Sequence, residues 1–231
     1  MLVFVDYEHA SGNTRDYAQR VQAARTWITY RLEDLSGLPC HLVRYDRLDQ
    51  DLLDRLDAQA IFISGNSIDP SEYGAEVAPI HGILQSTELP VFGFCGGFQL
   101  LAQALDAPVE PLTPTPEQVA ADDTLVANDA GAVFESGYHP VDFAPAAQGH
   151  PILQGVADRS SFRHAHQLHV AALPGGFEHL ASTKATVNQM AAHPDRKMVG
   201  TQFHPEYWTD EHPAGRTMIG NFLDWAGVET R

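Results

Sequence analysis

Pro90-Val-Phe-Gly-Phe-Cys95-Gly-Gly-Phe-Gln99-Leu-Leu-Ala-Gln-Ala-Leu105 is the stretch on which the fold turns. Its opening, Pro90 to Phe94, is a short apolar run that reads as a buried strand. From Gly96 to Leu105 the spacing becomes helical. A strand that passes into a helix across two glycines is the basic unit of a parallel sheet.

The same alternation extends toward the N-terminus. Ala60 to Ser64, Cys40 to Tyr45 and Leu2 to Asp6 read as strands. Between them lie predicted helices at Glu72 to Leu84, with Pro79 as a possible interruption, and at Asp49 to Leu56. A longer amphipathic helix is predicted from Arg15 to about Leu35, with Ser11 to Thr14 offering capping residues. Its apolar positions are Tyr17, Val21, Ala24, Trp27, Ile28 and Leu32, so Trp27 is expected in the core. Toward the C-terminus the pattern loosens between Val109 and Pro151, with a strand-like piece at Thr124 to Ala127. Strands resume at Leu180 to Thr183 and Met198 to Phe203, and a last helix is predicted from Ala214 to Trp225. No repeat or linker interrupts the chain, so residues 1–231 are read as one α/β domain: a doubly wound, mostly parallel sheet with helices on both faces.

Bulk properties narrow the function. The chain has 231 residues, 44% of them hydrophobic and 19% charged, as expected of a globular domain. No apolar run approaches the ~18 residues a membrane helix needs. Met1 to Asp6 lacks the basic flank of a signal peptide, which points to the cytoplasm. A formal charge of −16 disfavours nucleic acid and anionic membranes as partners. Cys40 and Cys95 stand far apart and in no CxxC pair, so neither a disulfide framework nor a cysteine zinc site is expected.

Two short motifs carry chemistry. In Gly93-Phe-Cys95-Gly-Gly97-Phe-Gln99, small residues flank a cysteine at a strand-to-helix turn, as a nucleophile elbow requires. The helix that follows favours a thiolate through its dipole, and the Gly96 N–H is placed to hold an oxyanion. The plainer reading is a buried cysteine at a tight turn. In His204-Pro-Glu206, the proline biases His204 toward extended backbone. Side chains two apart then face the same way, which suits an imidazole base oriented by a carboxylate. A surface His-Pro-Glu turn is the plainer reading here. Both motifs fall at the ends of predicted strands, where open α/β sheets gather ligands.

Together, Gly-x-Cys-x-Gly-x-Gln around Cys95 and Gln-Phe-His-Pro-Glu at 202–206 resemble the class I glutamine amidotransferases. His166-Gln-Leu-His-Val-Ala-Ala-Leu-Pro174, with Gly176-Phe177 and Ala181-Ser-Thr183, resembles a further segment of that family, and Ser64-Gly-Asn-Ser67 stands at its Ser-Gly-Gly-Pro turn. The resemblance implies a flavodoxin-like sheet and a catalytic triad of Cys95, His204 and Glu206. It implies an oxyanion site formed by Gly96 with Gly65 and Asn66, and a glutamine pocket framed by Gln99 and His166. Cys95 would form a γ-glutamyl thioester and release ammonia to a separate synthase subunit, with no cofactor in this chain. An alternative within the family is a stand-alone hydrolase of another γ-glutamyl amide. A non-catalytic binding or regulatory module is the third reading.

Some residues depart from that pattern or lie outside it. Asn66 and Ser67 replace the second glycine and the proline of the turn. The long first helix is either an extra packed element or a partner surface. His164-Ala-His166-Gln-Leu-His169 has metal-ligand spacing but no cysteine or carboxylate beside it, so no metal is expected, and His164 and His169 are read as partly exposed. Cys40 is read as a packed edge residue, and Asp122-Asp123 as a solvated loop.

Overall fold

Apolar runs too short to be anything but strands alternate with helices through the N-terminal half, and the computed structural model, which describes residues 1–230, places them accordingly. In chain order these are β1 (Leu2–Asp6), α1 (Ala18–Ser36), β2 (Cys40–Arg44), α2 (Gln50–Arg55), β3 (Ala60–Ile63), α3 (Ala78–Ser86), β4 (Val91–Phe94) and α4 (Gly96–Ala104). Next come β5 (Val109–Pro111), α5 (Pro116–Ala120), β6 (Leu125–Ala127), β7 (Val133–Pro140), β8 (Asp142–Phe143), β9 (Ser161–His166) and β10 (Leu168–Val170). The chain continues through β11 (Glu178–Ser182), β12 (Met190–His193) and β13 (Met198–Thr201) to α6 (Ala214–Ala226).

Eight strands form the main sheet in the order β2-β1-β3-β4-β13-β12-β11-β8. The run from β2 to β13 is parallel, and β12, β11 and β8 add antiparallel pairings. Alternate residues of β1 enter opposite cores. Leu2 and Phe4 pack with Ile28 and Leu32 of α1 and with Phe222 and Leu223 of α6. Val3 and Val5 pack with Leu53, Ile80, Leu84 and Leu101 from α2, α3 and α4. The sheet is therefore covered on both faces, as the doubly wound reading expects.

Several local expectations change. Ser11 to Thr14 lies in a short 3-10 turn, and α1 starts only at Ala18, with Tyr17 as an N-cap whose side chain makes no capping bond. Glu72 to Val77 forms tight turns, because Pro79 is accommodated only in the first turn of α3. Trp27 is 45% exposed and stacks on Arg31, whose guanidinium lies 4.0 Å from its ring. Asp122 is buried and accepts from Thr124 N (3.1 Å) and Oγ1 (2.7 Å), capping its own turn. The loose region contains a second sheet, β6-β7-β9, whose β7–β9 ribbon leans over the C-terminal ends of the parallel strands.

Candidate active site

Cys95 joins β4 to α4 with φ 50° and ψ −104°, a conformation that persists only where its surroundings impose it. Its N–H donates to Thr201 O of β13 at 2.7 Å, and its carbonyl accepts from Phe98 N and Gln99 N at 3.0 and 3.1 Å. The helix beyond lies directly on the sheet: a Cβ at Gly97 would sit 2.9 Å from Ile63 Cβ. A bulky residue there would push α4 off β3 and release the turn.

The β13 strand delivers the partner groups. Past Thr201, Gln202 N donates to Gln189 O at 2.7 Å and His204 N to Arg163 O at 2.8 Å, so the chain stays fixed beyond the sheet. His204 Nδ1–H donates to Glu206 Oε1 at 2.7 Å. The contact is made across a 3-10 turn, Pro205–Tyr207, rather than along extended backbone, because Pro205 initiates the turn. Gln202 Nε2 lies 3.6 Å from Cys95 Sγ. Burial alone would lower the pKa of His204, but the charge of Glu206 and the adjoining Cys95 outweigh it and raise it to about 9.

The 64–67 turn closes on the same point. A Cβ at Gly65 would lie 3.0 Å from His204 Cε1 and 3.6 Å from Cys95 Cβ, while one at Gly96 would lie 2.9 Å from Asn66 N. Gly65, Asn66 and Gly96 thus converge beside the thiol. Three buried charges hold the turn. Arg25 Nη2 donates to Gly65 O at 2.6 Å while its Nε donates to Asp6 Oδ1 at 2.8 Å. Glu8 accepts from Ser67 N at 2.9 Å and from Ser67 Oγ at 2.7 Å. A proline at 67 could make neither bond, so the departure from the family turn is matched by a carboxylate that uses it. No motif marks Asp6, Glu8 or Arg25. The available sign is Arg25 itself, a charge on the apolar stripe between Val21 and Ile28.

Gln99 and His166 meet at one carbonyl: Gln99 Nε2 donates to Leu168 O at 2.9 Å, and His166 Nδ1–H donates to the same oxygen at 3.1 Å. Both line the cleft. His164 departs from its expected exposure. It is 1% exposed, and burial, only partly offset by Glu135, drives its pKa down to about 3. His169 is half-buried.

The turn bearing Glu206 is clamped from α1. Arg31 donates to Glu206 O at 2.9 Å and Trp208 O at 2.7 Å, with its guanidinium 3.5 Å from the Trp208 ring. Tyr138 Oη donates to the intervening Tyr207 O at 2.7 Å. Cys95 and His204 open on a cleft of about 650 Å³. Tyr17, Arg20 and Arg25 form one wall, and Phe134, Ser136 and Arg163 of β7 and β9 the other. The long first helix is therefore a packed element that also walls the site.

The family profile "Glutamine amidotransferase class-I" matches residues 22–225. GMP synthase [glutamine-hydrolyzing] of Phenylobacterium zucineum is 28% identical over 198 residues, covering 84% of this chain and 33% of that protein. The enzyme of the same name from Thermomicrobium roseum is 33% identical over 197 residues, covering 85% of this chain and 32% of that protein. The chain thus spans about a third of the length of these relatives. Among solved structures, a putative GMP synthase subunit from Thermoplasma acidophilum superposes with a TM-score of 0.70 at 20% identity, over 98% of this chain and 94% of that one. A glutamine amidotransferase from Thermotoga maritima gives 0.63 at 13% identity, over 97% of each chain.

Proposed function

Because the chain belongs to the class I glutamine amidotransferase family, we propose that it hydrolyses the side-chain amide of glutamine through a thioester on Cys95. The observation that carries this reading is the convergence on one thiol of the His204–Glu206 pair, bonded at 2.7 Å, and the Gly65–Asn66 turn. In the first step the Cys95 thiolate attacks the amide carbon, and the oxyanion is received by the N–H groups of Gly96 and the turn. The His204 imidazolium, held by Glu206, gives its proton to the departing nitrogen, the C–N bond breaks and ammonia leaves. His204, now neutral, takes a proton from water, which attacks the thioester. Glutamate departs and the thiol returns. Gln99 and His166 act by fixing Leu168 on the pocket wall.

These steps use no cofactor from this chain. A separate synthase subunit receives the ammonia, a role suggested by longer relatives, named GMP synthases, of which the match covers about a third. One observation favours a second reading. A cleft of about 650 Å³ with Arg20 and Arg163 on opposite walls has room for a γ-glutamyl amide with a larger, anionic amine.

Glutamate release from glutamine and from a panel of γ-glutamyl amides, beside a Cys95→Ala control, tests both. Release from glutamine that vanishes in the control is expected. Cys95-dependent release only from the larger amides would transfer the assignment to the second reading, and release unaffected by the substitution would sink the thioester.

A further inference from the structure

We propose that Glu135, His164 and His166 bind a divalent transition-metal ion, zinc by the chemistry of its ligands, at the back of the β7–β9 wall of the cleft. Antiparallel pairing sets Glu135 opposite His166 and Gly137 opposite His164. Side chains alternate along a strand, so these three acidic and imidazole groups share the face opposite Phe134, Ser136, Arg163 and Ala165, which line the cleft; His166, at the end of β9, also reaches the cleft edge. The His-x-His spacing lacks a neighbouring carboxylate in sequence; strand pairing supplies one in space.

Geometry separates this cluster from an ordinary hydrogen-bonded network. Glu135, His164 and His166 are 0%, 1% and 3% exposed, and one ligand atom from each lies within 4.8 Å of the others. His166 Nε2 is 3.1 Å from Glu135 Oε2 and His164 Nδ1 is 3.8 Å from Glu135 Oε1. Zinc bonds of ~2.0–2.1 Å at tetrahedral angles place neighbouring ligand atoms roughly 3.3 Å apart, between those two gaps. Yet Glu135 Oε1, His166 Nε2 and both ring nitrogens of His164 make no hydrogen bond to any described residue. Glu135, His166 Nε2 and one ring nitrogen of His164 face a common buried space, where an acceptor of electron pairs would satisfy all three.

The surroundings already orient the ligands as an outer shell does. His166 donates Nδ1–H to Leu168 O, which leaves the Nε2 lone pair toward Glu135. Glu135 Oε2 accepts from Thr186 Oγ1 at 2.9 Å and Gln189 Nε2 at 2.7 Å. Gln189 Oε1, also without a partner, is available to a water in the fourth position. Two imidazoles and a carboxylate suit zinc among the common divalent ions. The ion would tie β7 to β9 behind the substrate wall, leaving the chemical steps to Cys95.

Cys95 and His204 are themselves potential zinc ligands, so the test uses the full chain carrying Cys95→Ala, stripped with a chelator and titrated with Zn²⁺ and with Co²⁺. One equivalent is expected to bind and to raise the thermal midpoint. Glu135→Gln and His164→Asn should each weaken zinc binding at least tenfold and remove that rise. X-ray absorption of the zinc-loaded Cys95→Ala chain should show two imidazoles and only nitrogen and oxygen neighbours, a readout that does not depend on how well the other variants fold. Absence of stoichiometric binding, binding indifferent to both substitutions, or a coordination shell without two imidazoles would each overturn the site.

Discussion

Cys95 is held at φ 50° by bonds that depend on neighbouring elements, so single side chains around it carry large effects. His204 gives the clearest pH signature. Its pKa rises from the ordinary 6.5 to about 9 on folding, so its contribution to stability is complete below about 6.5 and lost as the pH climbs through about 9. The thermal midpoint should fall across that window. On the proposed mechanism the alkaline limb of kcat/KM should centre near pH 9, where the His204 proton is lost, and Glu206→Gln should move that limb to lower pH. An unmoved limb would show that the imidazole is not held by Glu206. Arg25 and Asp6 form a buried pair at 2.8 Å, so Arg25→Met leaves a carboxylate stranded and frees Gly65 O. Urea unfolding should register a loss of about 3–5 kcal/mol. On the proposed mechanism, glutaminase kcat should drop roughly tenfold to a hundredfold as the Gly65–Asn66 turn drifts.

At the scale of elements, the site is assembled by close approaches and clamps. Gly97→Ala drives a methyl into the backbone carbonyl of Ile63, which cannot swing aside, and should cost about 3 kcal/mol, read as a lower thermal midpoint with weakened Cys95 activity. Arg31→Met removes two donors from the 206–208 carbonyls and a cation stacked on two indoles. A loss of about 1–2 kcal/mol is expected by urea unfolding, with kcat reduced more than KM is raised. Elements are legible in the sequence where one physical force dominates. Strands β1, β3 and β4 are apolar on both faces and announce themselves, as does Cys95 between small residues. Met190-Ala-Ala-His193 lacks the β-branched and aromatic residues that mark a strand, although it becomes β12. The end of β9 is hidden in the sequence because His164-Ala-His166-Gln-Leu-His169 presents ligand spacing there, and its imidazoles mask the alternation of a strand. Arg25, Glu8 and Glu135 act through contacts distant in sequence, which no local pattern records.

Over the whole molecule, the chain returns late to complete what its first half begins: β13 inserts between β4 and β12 and is the parallel neighbour of β4. β13 thereby joins the four parallel strands of the first half to β12, β11 and β8, and we expect residues 1–231 to unfold as one unit. Coincident urea transitions by far-ultraviolet circular dichroism and by tryptophan emission would agree, whereas separate midpoints would divide the chain. That β13 pairs with β4 is foreshadowed by both motifs lying at strand ends; the long-range order of the sheet is otherwise a property of packing, invisible to spacing. The stacking of Arg31 between Trp27 and Trp208 has a practical consequence. Two of the chain's three indoles share one cation, and Trp208 stands two residues from Glu206. The protein thus carries its own optical reporter: light emitted from that pair should follow the turn bearing Glu206, so movement of that turn can be watched without any label.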